Sequence, residues 1–209
     1  ISGNGNDMPQ VDPALQPTYL AANNAGFPVV NTQGGKYFEQ LDTTLGLTGN
    51  PAMTCLVALN TFTTGERNFF FTGETSGADL TCYRLATDSS WRYNGGNSVY
   101  DKLDLFGQSL LYAEFAKAQD VGYGAATIAL NGVPGTQTGS TNPDKLNAIP
   151  DTGTVTTIGS GRTGGGNNVN HLNGHMAELI IYDRVLTDEE RTSATEYFAV
   201  KWGLTGPSV

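Results

Sequence analysis

Only one stretch of this chain has the marks of a helix with defined ends, and it lies near the C-terminus. Thr187 is a good N-cap, and Glu190 stands at the third helical position. In such a capping box each side chain satisfies the other residue's free backbone N–H. Asp188, Glu189 and Glu190 add negative charge at the positive end of the helix. Ala194, Tyr197, Phe198 and Trp202 recur at helical spacing, so one apolar face is expected to dock on the body of the protein. Gly203 can take the left-handed conformation that ends a helix.

Ahead of this helix the pattern is one of short apolar runs cut by turn residues. Residues 27–31, 37–41, 53–61, 68–72, 79–86, 90–93, 125–130, 154–159 and 176–182 read as strands. Gly34-Gly35, Gly95-Gly96 and Asn131-Gly132 mark turns between them, the last being a strong hairpin signal. Residues 103–118 are ambiguous. Leu110, Leu111, Glu114, Phe115 and Ala118 suit a helix, whereas Leu111, Ala113 and Phe115 alternate as in a strand. Residues 132–153 and 161–170 are rich in Gly, Pro, Thr and Asn and read as loops. With 27 glycines and 15% charged residues, the chain suits many short strands joined by turns. No repeat or break in composition divides it, so residues 1–209 are expected to form one domain, an all-β antiparallel sandwich with one short C-terminal α-helix.

Charge narrows the partners. The formal net charge is −9, and no run of Lys or Arg occurs. Binding nucleic acid by neutralising phosphates is therefore excluded as an expectation, and so is an anionic membrane surface. No apolar run approaches the length of a membrane span. An acidic surface favours solubility and can hold divalent cations. Cys55 and Cys82 each lie in an apolar, strand-like run. They can pair if those strands are neighbours, or else stay as buried free thiols, and their spacing is not that of metal ligands.

The C-terminal stretch Gly174-His-Met-Ala-Glu-Leu-Ile-Ile-Tyr-Asp-Arg-Val-Leu-Thr-Asp-Glu-Glu-Arg191, continuing to Tyr197-Phe-Ala-Val-Lys-Trp-Gly203, resembles the end of laminin-G-like, concanavalin-A-like lectin/glucanase domains. Strand, turn, cap and helix occur in the family's order. Ser2-Gly-Asn-Gly-Asn-Asp7, Pro17-Thr-Tyr19, Gly26-Phe-Pro-Val-Val30, Ile128-Ala-Leu-Asn-Gly132 and Thr157-Ile-Gly159 are similar to further family segments. The resemblance implies a jelly-roll sandwich and a strand at Leu110–Phe115. It also implies a further strand ahead of residue 1, so that the chain is expected to be a processed product or a piece of something longer.

Catalytic chemistry finds little support. Retaining glycoside hydrolysis needs two carboxylates about 5–5.5 Å apart. The family's hydrolase signature, Glu-x-Asp-x-(x)-Glu, is absent. After Glu39, Leu41 takes the second carboxylate's place, and Glu178 is the lone acid of its strand. His171 and His175 flank a turn at Asn173-Gly174 and do not realise helical zinc spacing. Gly164-Gly165-Gly166 lacks the following helix and Lys-Ser/Thr of a phosphate loop. Calcium is the ion the resemblance implies, with Asp79, Asp101, Asp104, Asp120 and Asp151 near loop edges as candidate oxygen ligands. For sugar binding, the best local cluster is Trp91, Arg92, Tyr93, Asn94, Asn97 and Tyr100 around a glycine turn. Aromatic faces there would stack on a sugar while amide and guanidinium groups bond its hydroxyls. The competing reading is a hairpin whose Trp91 and Tyr93 pack on one sheet face.

The expected function is a non-catalytic carbohydrate- or surface-recognition module of a larger extracellular, cell-surface or virion protein. The alternative is a structural or adhesive assembly domain, such as a phage decoration or tail protein, whose partners are neighbouring subunits. A polysaccharide hydrolase or lyase is the third reading, by fold analogy.

Overall fold

Residues 53–61 hold the centre of the molecule. In the computed structural model they form β4 (Met53–Thr61), buried along its whole length. The structure describes residues 8, 10–23, 26–41, 45, 47–49, 51–62, 67–73, 79–84, 91–94, 98–101, 110–118, 127–135, 154–162 and 167–204. Residues 41, 67, 79–84, 91–94 and 98–101 are described by their backbone alone. Successive side chains of β4 point to opposite faces, and both faces are covered, which is why the run is nearly continuous in apolar residues. Met53, Cys55, Val57 and Leu59 enter the core between the sheets. Leu56 and Ala58 enter a second layer beneath the helix.

β4 is flanked by β9 (Leu111–Lys117) on one side and β15 (Gly174–Tyr182) on the other, both antiparallel to it. Residues 111–117 are thus a strand, and the helical alternative falls away. Leu111, Ala113 and Phe115 face the core, while Tyr112 joins the layer under the helix. β1 (Thr18–Leu20), β2 (Val29–Asn31), β10 (Thr127–Leu130) and β11 (Val133–Pro134) complete a seven-stranded sheet of order β1-β2-β15-β4-β9-β10-β11. Asn131 and Gly132 make the β10–β11 turn with φ of 47° and 79°, the left-handed pair that such a tight hairpin requires. At Gly174 a Cβ would run into the backbone oxygen of Asn60, so only glycine lets β15 approach β4 there.

The second sheet has six strands, in the order β3 (Phe38–Leu41), β12 (Val155–Ile158), β5 (Arg67–Gly73), β6 (Asp79–Arg84), β7 (Trp91–Asn94) and β8 (Ser98–Asp101). Phe69, at a bulge between Asn68 and Phe70 in β5, and Phe70 itself both lie in the core it shares with the first sheet. Cys55 is a buried free thiol, and the two cysteine-bearing strands, β4 and β6, are not neighbours in one sheet. Residues 161–170, expected as loop, contain a small hairpin of β13 (Gly161–Arg162) and β14 (Asn168–Val169). The expected turn at residues 2–7 lies outside the described residues.

α1 (Asp188–Trp202) lies on the outer face of the seven-stranded sheet. Its capping box is complete, and Gly203 closes it at φ 60°. Phe198 stacks on Tyr112 with ring centroids 4.6 Å apart, and Trp202 meets Phe27 edge-on at 6.0 Å. The Thr54 hydroxyl donates to Arg184 O and accepts from Leu186 N, which pins the entry turn to β4. One member of the expected docking face departs from it. Tyr197 is 43% exposed, because its phenol turns along the surface to donate to Glu178 at 2.8 Å.

Candidate functional site

The face of the six-stranded sheet that looks away from the core is built by strand register. Phe70 and Ile158 are opposite one another and both touch the core cluster. The alternation of a strand therefore turns their neighbours, Phe71 and Thr157, to the outer face. Following the pairing sideways gives one row across all six strands: Glu39, Thr157, Phe71, Thr81, Asn94 and Ser98. The adjacent row holds Asn68, Tyr83, Arg92 and Tyr100. Asp79, opposite Gly73, lies on the same face at the other side of the first row.

This register divides the residues singled out in the sequence. Arg92, Asn94 and Tyr100 share the outer face, with Arg92 directly opposite Tyr100. Trp91 and Tyr93 alternate with them onto the face that carries Cys82 and Val99. Asn97 lies outside the described residues, as do Asp104, Asp120 and Asp151. Of the remaining acids, Asp79 begins β6 and Asp101 ends β8, and the pleat assigns them to opposite faces. Among the described residues no group of three His, Cys, Asp or Glu could hold a metal ion.

The hairpin β13–β14 stands at the rim of the outer face beside Glu39. Asn168 Nδ2 donates to Glu39 Oε2 at 2.9 Å. Arg162 Nη1 lies 3.9 Å from the same oxygen. Ser160 fixes the turn into the hairpin by donating to Gly161 O and Val169 O, and the Thr157 hydroxyl donates to Ser160 O at 2.6 Å. Gly161 is required there, since a Cβ would overlap the Asn68 side chain. Asn68, 5% exposed, receives the backbone of this segment through a bond from its N–H to Asn170 O. Two amide oxygens of this rim, Asn68 Oδ1 and Asn168 Oδ1, are buried without a hydrogen-bond partner among the described residues, which is rare for a buried acceptor.

The catalytic alternatives are not assembled among the described residues. Glu39 and Glu178 stand in different sheets, on β3 and β15. Glu178 serves the helix: it accepts from Trp202 Nε1 at 2.7 Å, Tyr197 at 2.8 Å and Lys201 at 3.0 Å. Burial works against its ionisation, but these donors outweigh burial and hold its carboxyl below the usual range. His175 sits on β15, 7% exposed, edge-on to Phe62, and burial lowers its pKa. His171 stacks on Tyr37. Sequence reasoning treated Glu39 only as half of a missing acid pair and treated 161–170 as plain loop, so it missed the Glu39–Arg162–Asn168 cluster. The local signal was the single acid Glu39 within an otherwise uncharged strand.

No protein-family model matches the chain, and no curated protein matches its sequence. Solved structures do match in fold. Domain 4 of AbnA, a GH43 extracellular arabinanase from Geobacillus stearothermophilus in complex with arabinotriose, superposes with a TM-score of 0.59 at 13% identity, over 86% of this chain and 81% of that one. The CBM40 of the Ruminococcus gnavus IT-sialidase bound to α2,3 sialyllactose gives 0.55 at 12% identity, over 70% and 83%. The heptameric SAP-like pentraxin from Limulus polyphemus gives 0.54 at 13% identity, over 90% and 79%. The chain shares with them an all-β antiparallel sandwich fold.

Proposed function

We propose that this chain is a non-catalytic carbohydrate-recognition module that binds glycan on the outer face of its six-stranded sheet. The observation that carries the reading is the polar rim at which Asn168 Nδ2 donates to Glu39 at 2.9 Å and Arg162 lies 3.9 Å from the same carboxylate. Sugar hydroxyls donate to carboxylate and amide oxygens and accept in turn from guanidinium and amide N–H groups. Arg92, Asn94 and Tyr100, on the same face by register, extend the polar surface away from the rim. Fold neighbours bound to arabinotriose and sialyllactose support the ligand class. The module belongs to the outside of a cell or to a virion surface, where such glycans are met. No helix among the described residues is long and apolar enough to cross a membrane.

The test is a glycan array that includes arabinan fragments and sialyllactose, run with and without added calcium, on the chain and on Asn168→Ala. Binding that falls in the variant while thermal stability holds supports the reading. If no glycan binds and the chain forms a stable oligomer by light scattering, the assembly reading replaces it.

A further inference from the structure

On the opposite side of the sandwich, α1 does not close fully onto the sheet it covers. Between the helix and the strands β9–β11 runs an open groove of about 510 Å³. It exists because the residues facing it are small: Ala129, Gly132 and Pro134 form the floor, and Thr195 and Ala199 form the helix wall. A folded core fills such space with larger side chains, so short residues on both sides preserve a gap that packing alone would close. The surface of the groove is mostly apolar, and Val200 in its lining is 86% exposed.

One end of the groove is charged. The Glu114 carboxylate, buried on β9, meets Arg191 Nε at 2.6 Å. Arg191 Nη1 also lies 3.6 Å from Asp188. Glu196 is the third carboxylate in the lining, so three acids face one guanidinium. Burial raises the pKa of Glu114. Even with that group neutral, Asp188 and Glu196 outnumber Arg191. A second copy of this chain is a poor occupant, because each copy carries a net charge of −9.

We propose that this groove is a docking site for an extended, basic segment of a partner protein. A lysine or arginine of that segment lies against Asp188 and Glu196, and a neighbouring aliphatic side chain covers Ala129, Ala199 and Val200. The chain then has two working faces: glycan on the six-stranded sheet, and a protein partner on the helix side. The docking proposal stands whether or not the glycan reading holds, since it uses none of the same residues.

The probe is a synthetic hexapeptide in which leucine alternates with lysine, titrated into the ¹⁵N-labelled full chain. The acidic counterpart, with glutamate for lysine, is the control. Expected are shifts confined to α1 and β9–β11, an affinity about tenfold weaker in high salt, and a similar loss in Glu196→Lys. Val200→Ser should weaken binding several-fold. Glu189→Lys, the same charge change on the other flank of the helix, should leave it unchanged. Absence of shifts at millimolar peptide overturns the proposal. So do equal binding of the acidic peptide, equal losses in Glu189→Lys and Glu196→Lys, or a concentration-dependent dimer that Glu196→Lys abolishes, which would make a second copy the occupant.

Discussion

The two outer faces of the sandwich are built on opposite principles. The seven-stranded sheet hides its outer face under α1, with Phe198 and Trp202 inserted between Tyr112 and Phe27 and the buried Glu114 paired with Arg191 beside them. The six-stranded sheet turns Glu39, Thr157 and Asn68 to its outer face, with the β13–β14 hairpin at the rim. On the helix face, polar groups are paired to hold structure. On the hairpin face, Glu39, Arg162 and Asn168 gather at the rim, and the buried amide oxygens of Asn68 on β5 and Asn168 on β14 have no partner among the described residues. Substitutions on the first face should therefore move stability, and substitutions on the second should move binding.

The largest effect is expected at Phe198, which is fully buried against Tyr112. Phe198→Ala removes an aromatic side chain from a packed layer, which costs about 3–5 kcal/mol. In a domain of this size that lowers the melting temperature by roughly 10 °C, read by circular dichroism. A shift of only a degree or two would mean that α1 is not integral to the fold and that the contrast between the faces is misdrawn.

Glu114 sharpens the same contrast. Only the Glu114 half of its pair is buried, since Arg191 is 28% exposed and keeps Asp188 at 3.6 Å, and Glu114→Leu should cost about 1–2 kcal/mol in urea unfolding. Adding Arg191→Leu should recover most of that loss, since two apolar residues replace a pair whose desolvation offset much of its attraction. The pH dependence has a definite sign. Burial raises the folded pKa of Glu114 above its ordinary 4.5. The folded state then binds the proton more tightly than the unfolded one. This group's favourable contribution is present below pH 4.5 and is lost as pH rises through the folded pKa. Both leucine variants should lack that component.

On the hairpin face the readout changes. Asn168→Ala removes a donor to Glu39 at 2.9 Å. Glycan affinity should fall about tenfold, or about 1.4 kcal/mol, in calorimetric titration. The melting temperature should move by no more than roughly 2 °C. A large stability loss with binding intact would make the rim structural.

How much of this could be read from the chain follows from how local each feature is. The capped helix was legible because Thr187, Glu190 and Gly203 act within a single turn of chain. The Asn131-Gly132 hairpin was legible for the same reason. Periodicity did not decide residues 111–117, since Leu111, Ala113 and Phe115 fit either period; only the family resemblance pointed to the strand that β4 and β10 pair. Tyr197 sits on the helical stripe in sequence, yet Glu178, nineteen positions away, draws it to the surface. The candidate site was hardest to see. Glu39, Asn68, Arg162 and Asn168 meet only through pairing of β3, β12 and β5 and through the hairpin after β12. The cluster at residues 91–100 was contiguous in sequence, but strand alternation divides Trp91 and Tyr93 from Arg92 and Asn94, which no composition count could show.

The smallest expected effect lies at the helix entry, where the two faces' logic can be compared in one motif. Thr187→Ala removes an N-cap acceptor from Glu190 N, which costs about 1 kcal/mol in helical proteins generally. Glu190 carries the other half of the box. Hydrogen bonds from Arg184, then from the Thr187 backbone, lower its pKa to about 2 from an ordinary 4.5. A depressed folded pKa means that the unfolded state binds the proton more readily. The contribution is thus present above pH 4.5 and is lost as pH falls from there toward 2. That is the reverse of Glu114, although both acids are bound to arginines of the same region. The difference is solvent: Glu190 keeps its hydration while gaining donors, whereas Glu114 gives its hydration up. Glu190→Gln should flatten the acid limb of the stability curve between pH 4.5 and 2 and leave the limb above pH 4.5 as it was. Glu114→Leu should do the opposite. Unfolding midpoints of both variants measured from pH 2 to 7 separate the two, and parallel curves would show that burial does not distinguish these acids.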